Sequence, residues 1–246
     1  MIRAALTVLA AALIAERAQA VECGPITFDD ARYTICEVTP ATETLELFLY
    51  DDTGAPMGQF STINRALDAE GRALVFAMNA GMYHDNRAPV GHYVEDGQEI
   101  MRVIESAGPG NFGLLPNGVF CVREGRADVF ETGAFVAADP ACDHATQSGP
   151  MLVIDGALHP RFLPDGTSKF IRNGVGTSAD GQRVVFAISD DPVNFHSFGR
   201  LFRDHLGLSN ALYFDGKVSR LYAPSLGRSD FGFSLGPIIG VTGPLE

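Results

Sequence analysis

The sequence has no tryptophan, few cysteines and little positive charge, with 18 lysine and arginine residues against 30 aspartate and glutamate residues. Its formal net charge of −12 repels phosphate backbones, and no basic stripe offers a surface for nucleic acid. We therefore expect no nucleic-acid partner. An anionic substrate would need a cationic pocket set into this acidic molecule.

Long apolar runs are missing except at the N-terminus, because Gly, Pro or charge interrupts every later one; we expect no integral membrane segment there. At the N-terminus, Arg3 precedes an apolar run over residues 4–15, and Ala18-Gln19-Ala20 has the small-x-small pattern of a cleavage site. A membrane anchor would need a run of about 20 residues. The sequence predicts a signal peptide at residues 1–20, one domain over residues 21–246, and a periplasmic or secreted protein.

The four cysteines are Cys23, Cys36, Cys121 and Cys142. In an exported chain they favour disulfides, and sequence proximity predicts the pairs Cys23–Cys36 and Cys121–Cys142. Each bond would stabilise the fold by about 2–4 kcal/mol. A zinc site is the alternative, but there is no CxxC, and a histidine follows a cysteine closely only at Cys142-Asp143-His144.

Several common catalytic motifs are also missing. Residues 147–150 do not form a GxSxG elbow, no histidine pair forms HExxH, and residues 108–113 lack the Lys-Ser/Thr end of a phosphate loop. These absences argue against a serine hydrolase, a zinc protease and a nucleotide hydrolase. We expect no bound metal and no cofactor.

What is present indicates a mixed α/β (α+β) domain, rich in β-hairpins, with a mixed sheet and a few flanking helices. An acidic residue precedes Gly at five places between apolar runs, which predicts tight turns at residues 96–97, 124–125, 155–156, 180–181 and 215–216. Helical periodicity is scarce. One helix is predicted after Ser61 or Thr62, ending at Gly71, and another after Ser197, ending at Gly207.

The second helix is flanked by apolar strands at residues 183–188 and 211–214, a β-α-β arrangement whose two strands should run parallel. Asp190 then follows the first strand and Asp215 ends the second. Asn79 follows the strand at residues 73–78, after the first helix. Because ligand crevices form at the carboxyl ends of parallel strands, we expect Asn79, Asp190 and Asp215 to converge.

Each candidate also has a simpler interpretation. The Asn79–Tyr83 stretch could hold a sugar or form an ordinary Asn/Gly turn, and the segment with Gln147 and Ser148 could be a loop before a strand. Arg172, amid Gly and apolar residues, is either a surface charge or a planar anion clamp. Asp215-Gly216 by itself is most simply a hairpin turn.

Taken together, however, these blocks resemble the phosphodiester glycosidase domain family, in order from about residue 73 to residue 222. The family has Asn-Gly-Gly-Phe-Phe, Pro-x-Gly, Asp-Gly, Gly-Pro-x-Leu-Val, Arg-Thr-Ala-Ile-Gly, an Asp after a strand, and Ala-x-x-Leu-Asp-Gly-Gly-Gly-Ser. The similar segments here are residues 79–83, 89–91, 96–97, 148–153 with 155–156, 172–176, Asp190, and 210–216 with Ser219. Two departures stand out. Asn173-Gly174 replaces Thr-Ala, and Lys217-Val218 replaces the second and third glycines, where added bulk changes how closely a ligand approaches the backbone.

The resemblance implies a bacterial periplasmic hydrolase that cleaves a sugar 1-phosphodiester in an envelope or capsular glycan, so the expected partner is a carbohydrate phosphodiester. The phosphate ester is a good leaving group that needs charge stabilisation more than protonation. The implied catalytic residues are Asp215, Arg172 and Asp190. The implied substrate-binding residues are Asn79, Gly81, Tyr83, Gln147, Ser148, Gly216 and Ser219.

Two rival hypotheses come from other classes. In the first, the protein is a non-catalytic periplasmic glycan-binding or export-accessory protein, whose altered turn after Asp215 has lost turnover. In the second, it is a metal-dependent phosphodiesterase that uses His84, Asp85 and Asp215.

Overall fold

The computed structural model describes residues 21–245, so the predicted signal peptide lies outside the described residues. The described chain is a mixed α+β fold, as predicted, and strands make up most of it. The strands, in chain order, are β1 (Glu22–Phe28), β2 (Ala31–Val38), β3 (Thr44–Phe48), β4 (Arg72–Asn79), β5 (Tyr93–Glu95), β6 (Gln98–Met101), β7 (Gly118–Arg123), β8 (Arg126–Glu131), β9 (His144–Ser148), β10 (Met151–Ile154), β11 (Ala157–Leu158), β12 (Asn173–Thr177), β13 (Val184–Ser189), β14 (Asn210–Asp215), β15 (Leu221–Ala223), β16 (Arg228–Ser229) and β17 (Ile238–Pro244). The helices are α1 (Phe60–Asp68), α2 (Thr132–Ala138) and α3 (Phe195–Arg200), which continues as a π-helix over Leu201–His205; Pro224–Leu226 form a 3-10 turn.

The strands form three sheets in which every described pairing is antiparallel. The first sheet has seven strands in the order β1-β2-β13-β12-β14-β10-β11. The second has five, β16-β15-β4-β17-β3, and the third has five, β6-β5-β9-β7-β8. Their inner faces share one apolar core, in which Phe186 of the first sheet contacts Phe76 of the second and Phe120 of the third, with ring centroids 4.9 and 5.9 Å apart. The core therefore fixes how the three sheets meet.

Four of the five predicted acid-Gly turns close hairpins, and one does not. The turns at residues 96–97, 124–125, 155–156 and 180–181 join β5 to β6, β7 to β8, β10 to β11 and β12 to β13, and each has its glycine at positive φ. The hairpin interpretation of Asp215-Gly216 is wrong. Gly216 is not at positive φ, and the chain crosses there to β15 in the second sheet.

The β-α-β prediction holds for strand direction but not for adjacency. β13 and β14 are both antiparallel to β12, so they run in the same direction, but β12 lies between them. The reason is the turn at Asp180-Gly181, which folds β12 directly against β13. β12 therefore occupies the position next to β13 that a parallel partner strand would take. The connecting helix packs through Phe198, Leu201 and Phe202 onto the outer face of this sheet.

The helix ends differ from the predicted caps. α1 begins at Phe60, earlier than Ser61 or Thr62 allows, and its N-cap Gln59 makes no side-chain capping bond. α3 is capped by Asn194, whose side-chain oxygen accepts a hydrogen bond from the backbone N–H of Ser197 at 2.8 Å. Ser197 was the predicted cap. Asn194 takes that position because it lies three residues earlier, where a side chain reaches the free N–H groups of the first turn.

Both predicted disulfides are present, Cys23–Cys36 and Cys121–Cys142. The first links two residues that pair directly across β1 and β2. The second ties β7 to the segment before β9. Within residues 21–245, none of the helices has the length and apolar character that crossing a membrane requires.

Candidate active site

Three strand ends meet where the first and second sheets join. Asn79 is the last residue of β4, Asn173 the first of β12 and Asp215 the last of β14, and Asn173 is the register partner of Asp215. The two asparagines are fully buried. Their side-chain amides pair at 3.2 Å, and the Asn173 amide also donates to the backbone carbonyl of Asn79 at 2.9 Å. This amide pair fastens one sheet to the other beside Asp215.

The turn after Asp215 closes over this pair. The backbone N–H of Arg220 donates to the Asn79 side-chain oxygen at 2.9 Å. The hydroxyl of Ser219 lies 3.1 Å from the carbonyl oxygen of Asp215 and 3.2 Å from the side-chain oxygen of Asn173. Asn79 and Ser219, both predicted to bind substrate, therefore have protein partners, and their contacts hold the turn in place.

The Asp215 carboxylate is held by its own turn. Its Oδ1 atom accepts hydrogen bonds from the backbone N–H groups of Gly216 at 2.6 Å and Lys217 at 2.8 Å. Burial raises the pKa of Asp215, and these backbone donors oppose the shift. The site thus holds a partly buried carboxylate in a fixed direction.

Gly216 is required by a close approach. A Cβ at this position would lie 2.2 Å from the phenol oxygen of Tyr213 and 3.6 Å from Nη1 of Arg172. Lys217 and Val218, which stand in place of two family glycines, are not at positive φ. The backbone of the variant turn is therefore open to ordinary side chains, and Asp215 keeps both of its backbone donors.

Arg172 is a buried cation, not the surface charge that was one of its two interpretations. Its residue surface is 1% exposed. Nε donates to the carbonyl of Val193 and Nη2 to the carbonyl of Ser168, both at 2.9 Å. The guanidinium carbon lies 3.7 Å from the centroid of the Phe195 ring. Backbone carbonyls thus occupy the side of the guanidinium that would form a two-point clamp.

The remaining nitrogen, Nη1, is buried and has no hydrogen-bond partner among the described residues. Burial lowers the pKa of Arg172, and the neighbouring Tyr213 phenol supplies no counter-charge because burial raises its pKa and keeps it protonated at neutral pH. A buried guanidinium without an anionic partner is costly. Nη1 faces the Gly216 turn, so Arg172 presents one free charged donor beside Asp215.

Asp190 lies across β12 from Asp215, after the end of β13. Its carboxylate accepts from Arg228 Nη1 at 2.8 Å and from the Thr34 hydroxyl at 3.1 Å. Asp190 thus follows a strand end on the same edge as Asp215, with β12 between them, and its carboxylate pairs with Arg228, a residue that the motifs did not single out.

Tyr83 and Gly81 follow β4 near the site. The Tyr83 hydroxyl donates to the carbonyl of Ser234 at 3.4 Å, and the ring lies under the guanidinium of Arg87. Burial and the charge of Asp215 raise the pKa of Tyr83, so the ring lies within electrostatic reach of that carboxylate. Gly81 has φ +137 and abuts the hydroxyl of Thr146.

Gln147 and Ser148 support the surrounding structure. The Gln147 amide is satisfied by the backbone of Ile104, the N–H of His92 and the hydroxyl of Thr132, at 2.8–3.1 Å. The Ser148 hydroxyl donates to the carbonyl of Phe214 at 3.0 Å, one residue before Asp215. Gln147 thus holds loops together, and Ser148 ties β9 to the end of β14.

The described residues contain no group of three or more His, Cys, Asp or Glu side chains that could hold a metal ion. His84, Asp85 and Asp215 therefore do not form a donor set. Two surface cavities, of about 350 and 500 Å³, are lined by residues such as Glu131 and Asp128, and neither is lined by the three strand ends.

The match to a family model adds an independent observation. The model of the phosphodiester glycosidase family matches residues 72–230, which include all three strand ends. The chain belongs to the phosphodiester glycosidase family. It is also 34% identical over 185 residues to YigE, an uncharacterized protein of Escherichia coli K12, covering 75% of this chain and 72% of YigE.

Solved structures share this fold of the phosphodiester glycosidase family. The catalytic domain of zebrafish N-acetylglucosamine-1-phosphodiester alpha-N-acetylglucosaminidase, auto-inhibited by its pro-peptide, matches with a TM-score of 0.62 and 14% identity, over 90% of this chain and 81% of that one. A hypothetical protein from Synechocystis matches with a TM-score of 0.58 and 13% identity, over 90% and 61% of the two chains. A protein of Burkholderia pseudomallei that is named as exported matches with a TM-score of 0.51 and 10% identity, over 86% and 74%.

Three residues that complete the site in this family member were not predicted from the sequence. In the sequence, Asn173 stands out only as a departure from the family pattern. Tyr213 lies in an apolar strand, where a tyrosine is unremarkable. Phe195, which stacks on Arg172, belongs to the helix that was predicted to begin after Ser197. Only tertiary packing brings these side chains to the site.

Proposed function

We propose that this chain is an exported hydrolase that cleaves a sugar 1-phosphodiester at the glycosidic C–O bond, in an envelope or capsular glycan. Family membership supports a glycosidase-type reaction. The observation that carries the phosphodiester substrate is Arg172, a buried guanidinium without an anionic partner whose free Nη1 faces the Asp215 turn. A phosphate group would supply the missing anion.

In the proposed reaction, a water oxygen bonds to C1 of the sugar while the bond from C1 to the phosphate oxygen breaks. The electron pair of that bond leaves with the phosphate monoester, and Arg172 stabilises the charge that develops there. A fixed donor in a desolvated site is effective in this role because it needs no reorganisation as charge develops. The reaction uses no cofactor.

We assign Asp215 to activating the water or steadying positive charge on the sugar ring, and the proton of the water passes to its carboxylate or to solvent. Asp190 is the weaker candidate because Arg228 and Thr34 already hold its carboxylate. Asn79, Gly81, Tyr83, Gly216 and Ser219 come from the ends of β4 and β14 and the segments that follow them. We propose that they shape the sugar subsite, with Gln147 and Ser148 supporting it from behind.

The sugar 1-phosphodiester class is consistent with the zebrafish relative, whose name specifies an N-acetylglucosamine 1-phosphodiester. Export is supported by the two disulfides, which persist in oxidising compartments, and by the structural neighbour named as exported. We therefore propose that residues 1–20 are removed as a signal peptide and that residues 21–246 act as one domain, in the periplasm or outside the cell.

Asp215→Asn tests the assignment because asparagine keeps the side-chain oxygen that accepts from Gly216 and Lys217. We expect kcat on methyl N-acetylglucosamine 1-phosphate to fall by about 10²- to 10⁴-fold, with little change in Tm, since a general base contributes on that scale. The matched control is Asp190→Asn, which breaks the ion pair with Arg228. This control should lower Tm and have a much smaller effect on kcat than Asp215→Asn.

Two results would count against the proposal. If Asp215→Asn turns over as fast as the native protein, the carboxylate has no role in the reaction. If the native protein binds sugar phosphodiesters and hydrolyses none, the non-catalytic glycan-binding hypothesis replaces the hydrolase.

A further inference from the structure

Two phenylalanine side chains project into solvent on the segment between β16 and β17. Phe231 is 94% exposed and Phe233 is 84% exposed, and only Gly232 separates them. Contiguous exposed apolar surface marks interaction sites, whereas apolar side chains that are scattered singly are ordinary. The family motifs end before these residues, and the proposed reaction does not use them.

The backbone that carries the two rings is held in place. Gln59 donates to the carbonyl of Gly232 at 3.1 Å, and the Tyr83 hydroxyl donates to the carbonyl of Ser234 at 3.4 Å. The backbone N–H of Leu235 donates to the carbonyl of Gly58 at 2.9 Å, and the Leu235 side chain is fully buried. The rings are therefore displayed from an anchored segment, which lowers the entropy cost of binding.

This segment is continuous with the candidate active site. Tyr83 donates a hydrogen bond to the segment at Ser234, and burial together with the charge of Asp215 raises the pKa of Tyr83. Arg220, whose backbone N–H is held by Asn79, reaches beneath Gly232, where a Cβ would lie 3.7 Å from its Cδ and Nη1. The segment that carries the two phenylalanines is thus linked to Asn79 through Arg220 and to the surroundings of Asp215 through Tyr83.

We propose that Phe231 and Phe233 form a stacking subsite for sugar rings of the glycan on either side of the bond that is cleaved. This inference rests on the proposed function. Aromatic faces bind the C–H faces of sugars through dispersion and apolar burial, and uncharged sugar rings meet no repulsion from an acidic protein. The subsite would make the enzyme prefer an extended glycan over a small sugar 1-phosphodiester.

Two other occupants fit the observations less well. Two copies of the chain that met through these rings would bury less than about 1,000 Å² of accessible surface in total. A stable interface between proteins buries about 1,200–2,000 Å². A membrane surface is disfavoured because the net charge of −12 repels anionic lipid headgroups. A neutral sugar chain avoids both difficulties.

The kinetic test compares two substrates of one sugar, methyl N-acetylglucosamine 1-phosphate and an oligomer of N-acetylglucosamine joined through 1-phosphodiester bonds. The double variant Phe231→Ala/Phe233→Ala should raise KM for the oligomer by about 10- to 100-fold. This corresponds to about 3- to 10-fold for each ring that is removed. It should leave kcat/KM for the methyl ester within about twofold of the native value. Ile100→Ala, at an exposed position on β6, is the control and should change neither. Equal effects on both substrates, or no effect on either, would overturn the subsite.

A binding measurement separates failure of the subsite from failure of the proposed function. The sequence has no tryptophan, so Phe233→Trp introduces a single fluorescent reporter that keeps an aromatic face. Combined with Asp215→Asn to prevent turnover, it should shift its emission to the blue on adding the oligomer, whereas Ile100→Trp in the same background should not. A shift with the oligomer but no hydrolysis by the native protein would keep the subsite and reject the hydrolase. No shift with the oligomer, or a shift with anionic phospholipid vesicles instead, would overturn the subsite.

Discussion

At the scale of single residues, Arg172 decides how the site is interpreted. Its position amid glycine and apolar residues predicted an anion clamp or a surface charge, and the residue is a buried cation. Its contacts with Val193, Ser168 and Phe195 also give it a structural role. Sequence could not predict this, because Val193, 21 residues away, reaches Arg172 only where the segment after β13 pairs with the segment before β12.

We expect Arg172→Lys to lower both Tm and activity, and the two losses can be measured independently. A lysine keeps the charge and loses the planar contact with Phe195 and one of the two carbonyl bonds, so Tm should fall. Loss of the free Nη1 donor should lower kcat/KM for a sugar 1-phosphodiester by about 10- to 1,000-fold more than kcat/KM for an aryl glycoside, which presents no phosphate. Steady-state kinetics on both substrates and thermal melting measure the two effects. Equal loss on both substrates would make Arg172 structural only.

At the scale of elements, short sequence signals predicted the features that depend on neighbouring residues, such as tight turns. Acid-Gly pairs marked four hairpins because those glycines take positive φ, and the fifth pair failed because Gly216 is required by the close approach of Tyr213 instead. The convergence of Asn79, Asp190 and Asp215 was predicted from strand order, and Asn79 and Asp215 both lie next to Asn173. Asp190 follows β13 at the same edge, but the β12–β13 hairpin places β12 between the two aspartates, and periodicity alone could not predict that.

The cap of α3 gives an element-scale prediction. Asn194 accepts from Ser197 N–H and also donates to the carbonyls of Pro164 and Gly166, at 3.1 and 3.0 Å. Asn194→Ala should therefore lower the free energy of unfolding by about 1–3 kcal/mol, since it removes a cap and leaves two carbonyls unpaired. The matched change Ser197→Ala should cost less than about 0.5 kcal/mol, because the backbone N–H of Ser197, not its side chain, takes part in capping. Urea denaturation compares the two. Equal losses would contradict the assigned cap.

At the scale of the whole molecule, three antiparallel sheets surround one core, and the acidic surface encloses a local cationic site. The fold class, both disulfides and the family were accessible from sequence because each depends on composition or on ordered motifs. The joining of two sheets by the Asn79–Asn173 amide pair was not, since those residues are 94 positions apart and neither has a local signal for the other.

The stability of the whole molecule should depend on pH through Glu95. Burial raises the pKa of this carboxyl to about 7, above its usual value of about 4.3. The folded state therefore holds the proton more tightly than the unfolded state, so stability from this group is fullest below about pH 4.3 and is lost as pH rises through about 7.

Glu95→Gln keeps an acceptor for the Tyr93 hydroxyl and removes the titration. The variant should match the native protein at pH 4 and exceed it at pH 8 by about 1–3 kcal/mol. Urea denaturation across this range gives the difference, and Glu124→Gln, at an exposed turn, should give a flat difference. A gain in stability for Glu95→Gln that is equal at both pH values would argue against a protonated Glu95.

We propose that the site around Asp215 and Arg172 breaks the bond between the sugar C1 and oxygen, rather than the bond between phosphorus and oxygen. Hydrolysis of methyl N-acetylglucosamine 1-phosphate in ¹⁸O-labelled water tests this most directly, because the label marks the atom that water attacks. Mass spectrometry of the products should find the label in the anomeric hydroxyl of the sugar and unlabelled methyl phosphate. Label in the phosphate product would contradict the claim and identify a phosphodiesterase instead.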